Sequence, residues 1–257
     1  MTPSTQAHQM TLELESIAPE AVYEFGNGVR IRRADLLDVQ LQRYAAEGNP
    51  NLHEPVEEEC MLQAFATATP ARPVFLDIGA AVGYYAILIK QRWPAARVIA
   101  VDPLSHHLVA LRHNASLNGL PAEAIETVET AVGKANGFAD FVDAGYSSSL
   151  ADAALAPKGR GLPVLRVRTQ PLAALLADCA PVHLMKMDIQ GVEFEVLSAA
   201  QAALAAGQVR HVLIGTHSRT IHEQVRSLLR GCGFTILHDD PAPPMQPDGI
   251  LLATHTR

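Results

Sequence analysis

The sequence predicts a doubly wound α/β domain. Its mostly parallel sheet ends in an antiparallel hairpin, and a β-hairpin and helix precede it as an N-terminal cap. Three observations predict this. From Pro73 to Gly233, apolar runs of strand length alternate with helix-length segments. A glycine-bearing turn, Asp77-Ile78-Gly79-Ala80-Ala81-Val82-Gly83, closes the first of those runs. The last two runs, Phe234 to Leu237 and Ile250 to Thr254, are joined only by the turn-rich HDDPAPPMQPDG. Two strands without a crossover helix must be antiparallel neighbours.

The elements follow in order. Residues 21–33 hold two β-prone stretches around Gly26-Asn27-Gly28, a hairpin signal. A helix is expected over Asn51 to Thr69, with Pro55 in its first turn and Glu57, Glu58 and Glu59 where the helix dipole favours negative charge. Residues 1–70 are therefore expected to form a cap, and residues 71–257 the main domain, with Pro70 and Pro73 marking the border. Val74 to Ile78 is a strand and Tyr84 to Trp93 a helix, stopped by Pro94. Val98 to Val101 is the next strand. Ser105 opens a helix that ends at Asn118-Gly119. Thr127 to Val132 is a third strand, and residues 135–165, rich in Gly, Ala, Ser and Pro, are expected to be irregular. Val182 to Ile189 is a buried strand, followed by a helix from Glu193 to about Ala206. Val209 to Thr216 is a strand, and the helix after it carries Ile221, Val225, Leu228 and Leu229 on one face.

Composition narrows the function. The net charge is −7, which argues against a broad grip on nucleic acid phosphates. The three cysteines, Cys60, Cys179 and Cys232, show no metal-binding or disulfide spacing, and they fit a reducing compartment. The first residues lack a basic segment followed by an apolar one, and no apolar run approaches a membrane span of about 20 residues. A cytoplasmic protein without a membrane or nucleic acid partner is expected, monomeric or homodimeric.

The chemistry concentrates at strand ends. Asp77, Gly79 and Gly83 form D-x-G-x-x-x-G, where glycines let the backbone approach a ligand closely. A nicotinamide-binding fingerprint reads G-x-G-x-x-G, whereas here Ala81 stands at the middle glycine and a carboxylate precedes the turn. That carboxylate suits the ammonium of a methionine moiety. Asp102, after the next strand, can accept the hydroxyls of an adenosine ribose; a loop cap before Pro103 is the alternative. Lys186, Asp188, Gly191 and Glu193 gather where a later strand meets its helix. Lys186 calls for an acidic partner on a strand that reads as buried, either Asp188 or Glu193. Asp188 can orient the acceptor, take its proton or line the methionine pocket. His217, just past the Val209–Thr216 strand, is the best-placed general base if its pKa is ordinary. His222 reads as facing solvent or a partner, and His106 and His107 as exposed; the His53-Glu54 pair reads as a surface pair, with a reach over the pocket as the alternative. His217, Asp188 and His53 have no local ligand spacing, so no metal is expected.

Residues 74–216 resemble the FkbM family of methyltransferases. The resemblance rests on Asp77-Ile78-Gly79-Ala80 with Gly83-Tyr84-Tyr85, Asp102-Pro103, Asn114 with Asn118-Gly119, and Lys186-Met187-Asp188 with Gly191 and Glu193. Ala131-Val132-Gly133 and Ser147-Ser148-Ser149 match further family segments. Ala81, Gln190 and Asp102 stand where the family commonly has Asn, Glu and Glu. The resemblance implies a Rossmann-like class I fold that binds S-adenosyl-L-methionine through Asp77, Gly79, Ala80, Gly83, Tyr84, Asp102, Ala131, Ser149 and Asp188. It also implies O-methylation of a hydroxyl on a sugar or natural-product acceptor, with His217, Asp188 and Lys186 as catalytic candidates. The loop 239–249 and the cap are expected to act as substrate lids. A dinucleotide-dependent oxidoreductase, a nucleic acid methylase and a non-catalytic binding module are the alternatives. Asp77 and the terminal hairpin oppose the first. The acidic charge, and the lack of an Asn/Asp-Pro-Pro-aromatic motif, oppose the second. The intact glycine turn, with Asp77 and Asp102, argues that the third would still bind the cofactor.

Overall fold

The computed structural model describes residues 21–67, 70–145, 148–151 and 161–256. The N-terminal segment folds as β1 (Val22–Glu24) and β2 (Arg30–Arg32), an antiparallel hairpin, followed by α1 (Asp38–Tyr44) and α2 (Pro55–Ala66). Gly28 turns the hairpin with φ 89°, a value costly for any residue with a Cβ. Then come β3 (Val74–Ile78), α3 (Tyr84–Arg92), β4 (Arg97–Asp102), α4 (Ser105–Leu117), β5 (Ile125–Glu129), β6 (Ala131–Gly133), β7 (Gly137–Val142), β8 (Ser149–Leu150), β9 (Val164–Pro171) and α5 (Leu172–Cys179). The remainder is β10 (Val182–Met187), α6 (Glu193–Ala199), α7 (Gln201–Ala205), β11 (Val209–Thr216), α8 (Arg219–Gly231), β12 (Phe234–Asp240) and β13 (Gly249–His255).

Seven of these strands form the central sheet, in the order β12-β13-β11-β10-β3-β4-β5. β11, β10, β3, β4 and β5 pair in parallel, while β13 pairs antiparallel with both β11 and β12. The terminal hairpin is thus present, but the last strand is inserted inside the sheet and β12 takes the edge.

Alternation along the strands divides the core into two faces. Phe75, Leu184 and Leu213 point to one face and pack with Tyr84, Leu88 and Leu111. Leu76, Met185 and Ile214 point to the other and pack with Leu176, Val196 and Leu229. Phe25, Ile31, Met61 and Phe65 of the lead-in belong to the first of these clusters, so residues 21–66 share the core of the sheet. The segment 1–20, expected as part of the cap, lies outside the described residues.

The hairpin is docked by side chains of a helix. Asn118, at the C-cap of α4, accepts from the Arg30 amide at 2.9 Å and donates to the Arg30 carbonyl at 2.6 Å. Asn114, one turn earlier, accepts from the Arg32 amide at 3.0 Å. Arg30 and Arg32 are two apart on a strand, so their backbones face the same side. The spacing Asn-x-x-x-Asn on the helix meets that repeat. Asn114 also donates to the Val82 carbonyl in the glycine turn, at 3.1 Å.

Several expectations need correction. The strand foreseen over Thr127 to Val132 is broken at Thr130, and its two halves enter different sheets. Residues 135–165 are not irregular throughout. With β6, the strands β7, β8 and β9 build a second, four-stranded sheet in the order β6-β9-β7-β8. Its exposed strands bury little: of the first five residues of β9, only Val167 is buried. α1 and α5 were not foreseen. The helix after β10 is interrupted at Ala200, and the one expected from Asn51 begins at Pro55.

Candidate active site

A cavity opens at the carboxyl ends of β3, β4 and β10. In open α/β sheets ligands bind at such a crevice. Gly79, Ala81, Asp102, Ala131 and Asp188 all lie on its wall, with Val132, Phe141, Ile189 and Val192 giving an apolar slot. Gly79 is required by contact as well as by its φ of 82°. A Cβ placed there would stand 1.9 Å from the Asp188 carbonyl oxygen. The glycine therefore lets the turn after β3 press against the end of β10, which brings Asp102 and Asp188 to one cavity.

Asp102 is held as a loop cap and still faces the cavity. It accepts from the Ala81 amide at 3.0 Å, the Leu104 amide at 2.9 Å and His107 Nδ1 at 3.0 Å. His107 is therefore buried, contrary to the exposed position expected, while the His106 side chain is 55% exposed. The described lining residues contain two carboxylates and neither lysine nor arginine. Such a wall repels a pyrophosphate and suits a ligand whose charge is positive.

The other residues assigned to the cofactor from sequence lie behind this wall. Asp77 is 1% exposed and points to the opposite face of β3, beside Lys186 in the adjacent strand. Burial lifts its pKa to about 6, with Lys186 pulling it down and Asp188 pushing it up. Ala80 is buried and its amide donates to the Val101 carbonyl. Gly83 caps α3 with φ 92°. Tyr84 turns towards the cap, where its hydroxyl donates to Glu58 at 2.6 Å and accepts from Asn27 at 2.8 Å. Ser149 is buried and Ser148 is the one on the cavity wall; Ser147 lies outside the described residues.

Lys186 is 1% exposed. Its Nζ stands 3.7 Å from Glu57, 3.8 Å from Asp188 and 4.5 Å from the centre of the Tyr85 ring. Glu57 was not foreseen as a partner, because it comes from α2 in the cap; Glu193, one of the two expected, is engaged elsewhere. Burial opposes the ammonium charge, yet Glu57, Asp188 and Asp77 outweigh it and hold the Lys186 pKa above the ordinary value. Tyr85 Oη lies 2.6 Å from Glu57 and 2.9 Å from Glu54. Burial pushes Glu57 well above the usual carboxylate range, while the Lys186 charge pulls it back. His53 and Glu54 are buried in this network rather than exposed.

His217 sits at the end of β11 with Nδ1 2.8 Å from Glu193, which is fully buried. Its Nε2 is 3.3 Å from both Asp188 and Asp248. Burial works against its charged form, but the Glu193 hydrogen bond and the charges of Asp188, Glu193 and Asp248 hold its pKa up at about 9. The premise of an ordinary pKa therefore fails, and His217 is an imidazolium at neutral pH. His222, expected to be exposed, is 1% exposed and bonds Thr216 and Asp239. Asp248, from the loop before β13, is the residue that sequence reasoning missed. Nothing local in the sequence marks it, since its partners are supplied by the antiparallel pairing of β13 with β11.

A sheet with this strand order, an inserted antiparallel strand and a glycine turn opposite an acidic strand end defines the Rossmann-like class of methyltransferases. The chain belongs to the methyltransferase FkbM domain family, whose model matches residues 77–236. It is 24% identical over 200 residues to methyltransferase sdnD of Sordaria araneosa, covering 66% of this chain and 76% of that one. A crystal structure of methyltransferase FkbM from Methylobacillus flagellatus KT superposes with a TM-score of 0.51 at 14% identity. That match covers 74% of this chain and 45% of the other, so this chain spans less than half of that longer protein. An rRNA methylase of Streptococcus thermophilus superposes with a TM-score of 0.50 at 10% identity, over 79% of this chain and 98% of that one. The latter two show the fold alone. The protein is a methyltransferase.

Proposed function

We propose that the protein is an S-adenosylmethionine-dependent O-methyltransferase acting on a hydroxyl of a small acceptor of the sugar or natural-product kind. The observation that carries this reading is the cavity wall. It combines a carboxylate at ribose height, Asp102, with an apolar slot for a flat base and a second carboxylate at the far end, Asp188, and its described lining residues include neither lysine nor arginine. These residues fit S-adenosylmethionine. Asp102 would hold the ribose hydroxyls, and Ala131 and Val132 would flank the adenine. When bound, the cofactor supplies an electrophilic methyl carried on a sulfonium.

The chain then has two tasks, to place an oxygen in line with that methyl and to receive its proton. Asp188 stands where the cavity meets the His217 cluster and is the group assigned to the acceptor hydroxyl. Lys186 at 3.8 Å and His217 at 3.3 Å fix the orientation of Asp188, so both act as positioning residues. Gln190, whose Nε2 donates to Asp188 at 3.1 Å, helps to orient it without adding charge. The loop after β12 meets the cap above this cluster, where Gln246 accepts from the Glu57 amide at 3.4 Å. The two segments are assigned as the lids that exclude water and bulky acceptors. This supports a small-molecule partner, neither nucleic acid nor membrane. No described helix is long and apolar enough to cross a membrane. The three cysteines are free and buried, in keeping with a cytoplasmic setting.

The test is calorimetric titration with S-adenosylmethionine, S-adenosylhomocysteine and NAD, repeated on Asp102→Ala, followed by methyl transfer to hydroxylated acceptors. Binding of the first two, much weakened by the substitution, is expected. Binding of NAD alone overturns the reading.

A further inference from the structure

We infer that Asp188, His217 and Asp248 form a binding site for one divalent cation of the first transition row, at the acceptor end of the cavity. The site is built from the ends of β10 and β11 and the loop before β13. His217 Nε2 lies 3.3 Å from Asp188 Oδ1 and 3.3 Å from Asp248 Oδ1, and the three ligand atoms lie within 4.8 Å of one another. The His217 side chain is only 8% exposed, yet Nε2 has no hydrogen bond of acceptable geometry to either carboxylate. Two oxygens placed symmetrically about an unsatisfied imidazole nitrogen resemble a ligand shell. With bonds of about 2.1 Å, a nitrogen and an oxygen 3.3 Å apart subtend roughly 100° at a metal, an angle open to tetrahedral or octahedral coordination.

The surroundings support the same reading independently. Nδ1 donates to Glu193 at 2.8 Å, so the proton on that side is fixed and Nε2 is the metal-facing atom, whose own proton the incoming cation displaces to solvent. Glu193 is itself fixed, since it accepts the Gly191 amide at 3.0 Å and the Ile189 amide at 3.3 Å. A carboxylate behind the ligating histidine is the usual support of such sites, because it sets the tautomer and raises ligand basicity. One nitrogen and two carboxylate ligands suit Mn2+, Fe2+ or Zn2+, whereas Mg2+ would forgo its preference for oxygen alone.

Among the described residues the other cluster with this potential is His106, His107 and Asp143. There His107 Nδ1 is turned to Asp102 and the His106 side chain is 55% exposed, so no comparable support exists. Asp188 belongs both to this site and to the cavity wall. A cation there would hold an acceptor oxygen beside the methyl group and would favour acceptors with two adjacent oxygens. That last point rests on the O-methyltransferase reading; binding of the cation does not.

The test is titration of the purified full chain with Mn2+, followed by the loss of the free-ion electron paramagnetic resonance signal. His217→Gln, Asp248→Asn, Glu193→Gln and His106→Gln are titrated in parallel, with thermal melting as the control for folding. The expected result is one Mn2+ per chain. Glu193→Gln should weaken it roughly 10–100-fold, His217→Gln and Asp248→Asn at least as much, and His106→Gln should leave it unchanged. Binding that survives Asp248→Asn and His217→Gln, is lost in His106→Gln, or is absent from the folded wild type overturns the site. S-adenosylmethionine affinity, measured on the same samples, separates this outcome from failure of the methyltransferase reading. Cofactor binding and methyl transfer that persist without Mn2+ binding reject only the metal. Mn2+ binding without cofactor binding rejects only the proposed function.

Discussion

Asn114 in α4 and Asn118, one turn on at its C-cap, hydrogen-bond the backbones of Arg32 and Arg30 in β2. The helix thereby supplies the partner that a neighbouring strand would otherwise provide. Asn114 is fully buried, so replacing it leaves the Arg32 amide and the Val82 carbonyl without partners. At about 1–3 kcal/mol for each of the two unsatisfied groups, Asn114→Ala should cost roughly 2–6 kcal/mol of stability. Urea unfolding would read this directly. A loss below 1 kcal/mol would mean that water replaces the side chain.

Lys186 holds the centre of a buried group of carboxyls. Lys186→Met would leave Asp77 and Asp188 without their principal counter-charge, a loss of about 3–5 kcal/mol. The expected result is a sharp fall in melting temperature at pH 7. A second substitution, Asp77→Asn, should recover part of it, because one of the stranded charges is removed. A double variant no more stable than Lys186→Met would refute the pairing.

Gly79→Ala would place a methyl against the Asp188 carbonyl and demand a positive φ. A loss of more than about 2 kcal/mol is expected, since both backbone strain and overpacking contribute. Cofactor affinity should fall with it, because the turn must move away from the end of β10. Calorimetry on protein still folded at 15 °C would separate the two effects.

Acid should weaken the cap through His53. Burial lowers the His53 pKa to about 4, so the folded protein keeps the ring neutral where the unfolded chain, near 6.5, takes a proton. Its contribution is complete above pH 6.5 and is lost as the pH falls towards 4, up to about 3 kcal/mol. Asp77, lifted to about 6, works in the opposite sense over part of the same window. The readout is therefore the difference between wild type and His53→Gln. The variant should lose less stability between pH 7 and pH 4.5, and parallel curves would sink the assignment.

Much of this was legible in the sequence, wherever the signal was local. The glycine turn, Asp102, the Lys186–Asp188 segment and the terminal hairpin all declare themselves within a dozen residues. The second sheet did not, because β7 and β9 are largely exposed and lack the alternation that marks a half-buried strand. α5 went unnoticed in a stretch that begins and ends with proline. Asp248 and Glu57 could not be foreseen as site residues, since each reaches its partner across more than twenty residues of chain. The error over His217 had the same origin: its pKa is set by three carboxylates from two segments remote in sequence, Asp188 with Glu193 and Asp248. His53 and His107 were misjudged for burial because their covering neighbours come from other elements.

The placement of β13 bears on how the molecule is assembled. A strand that follows its neighbours in the chain commonly joins a sheet at its rim, where its loss trims one edge. Here β13 is wedged between β11 and β12, so β12 has no place in the sheet until β13 has arrived. The sheet without β13 exposes the edge of β11, a template for association with other chains. A polypeptide lacking these seven residues would therefore lose an interior plank and carry an aggregation-prone seam.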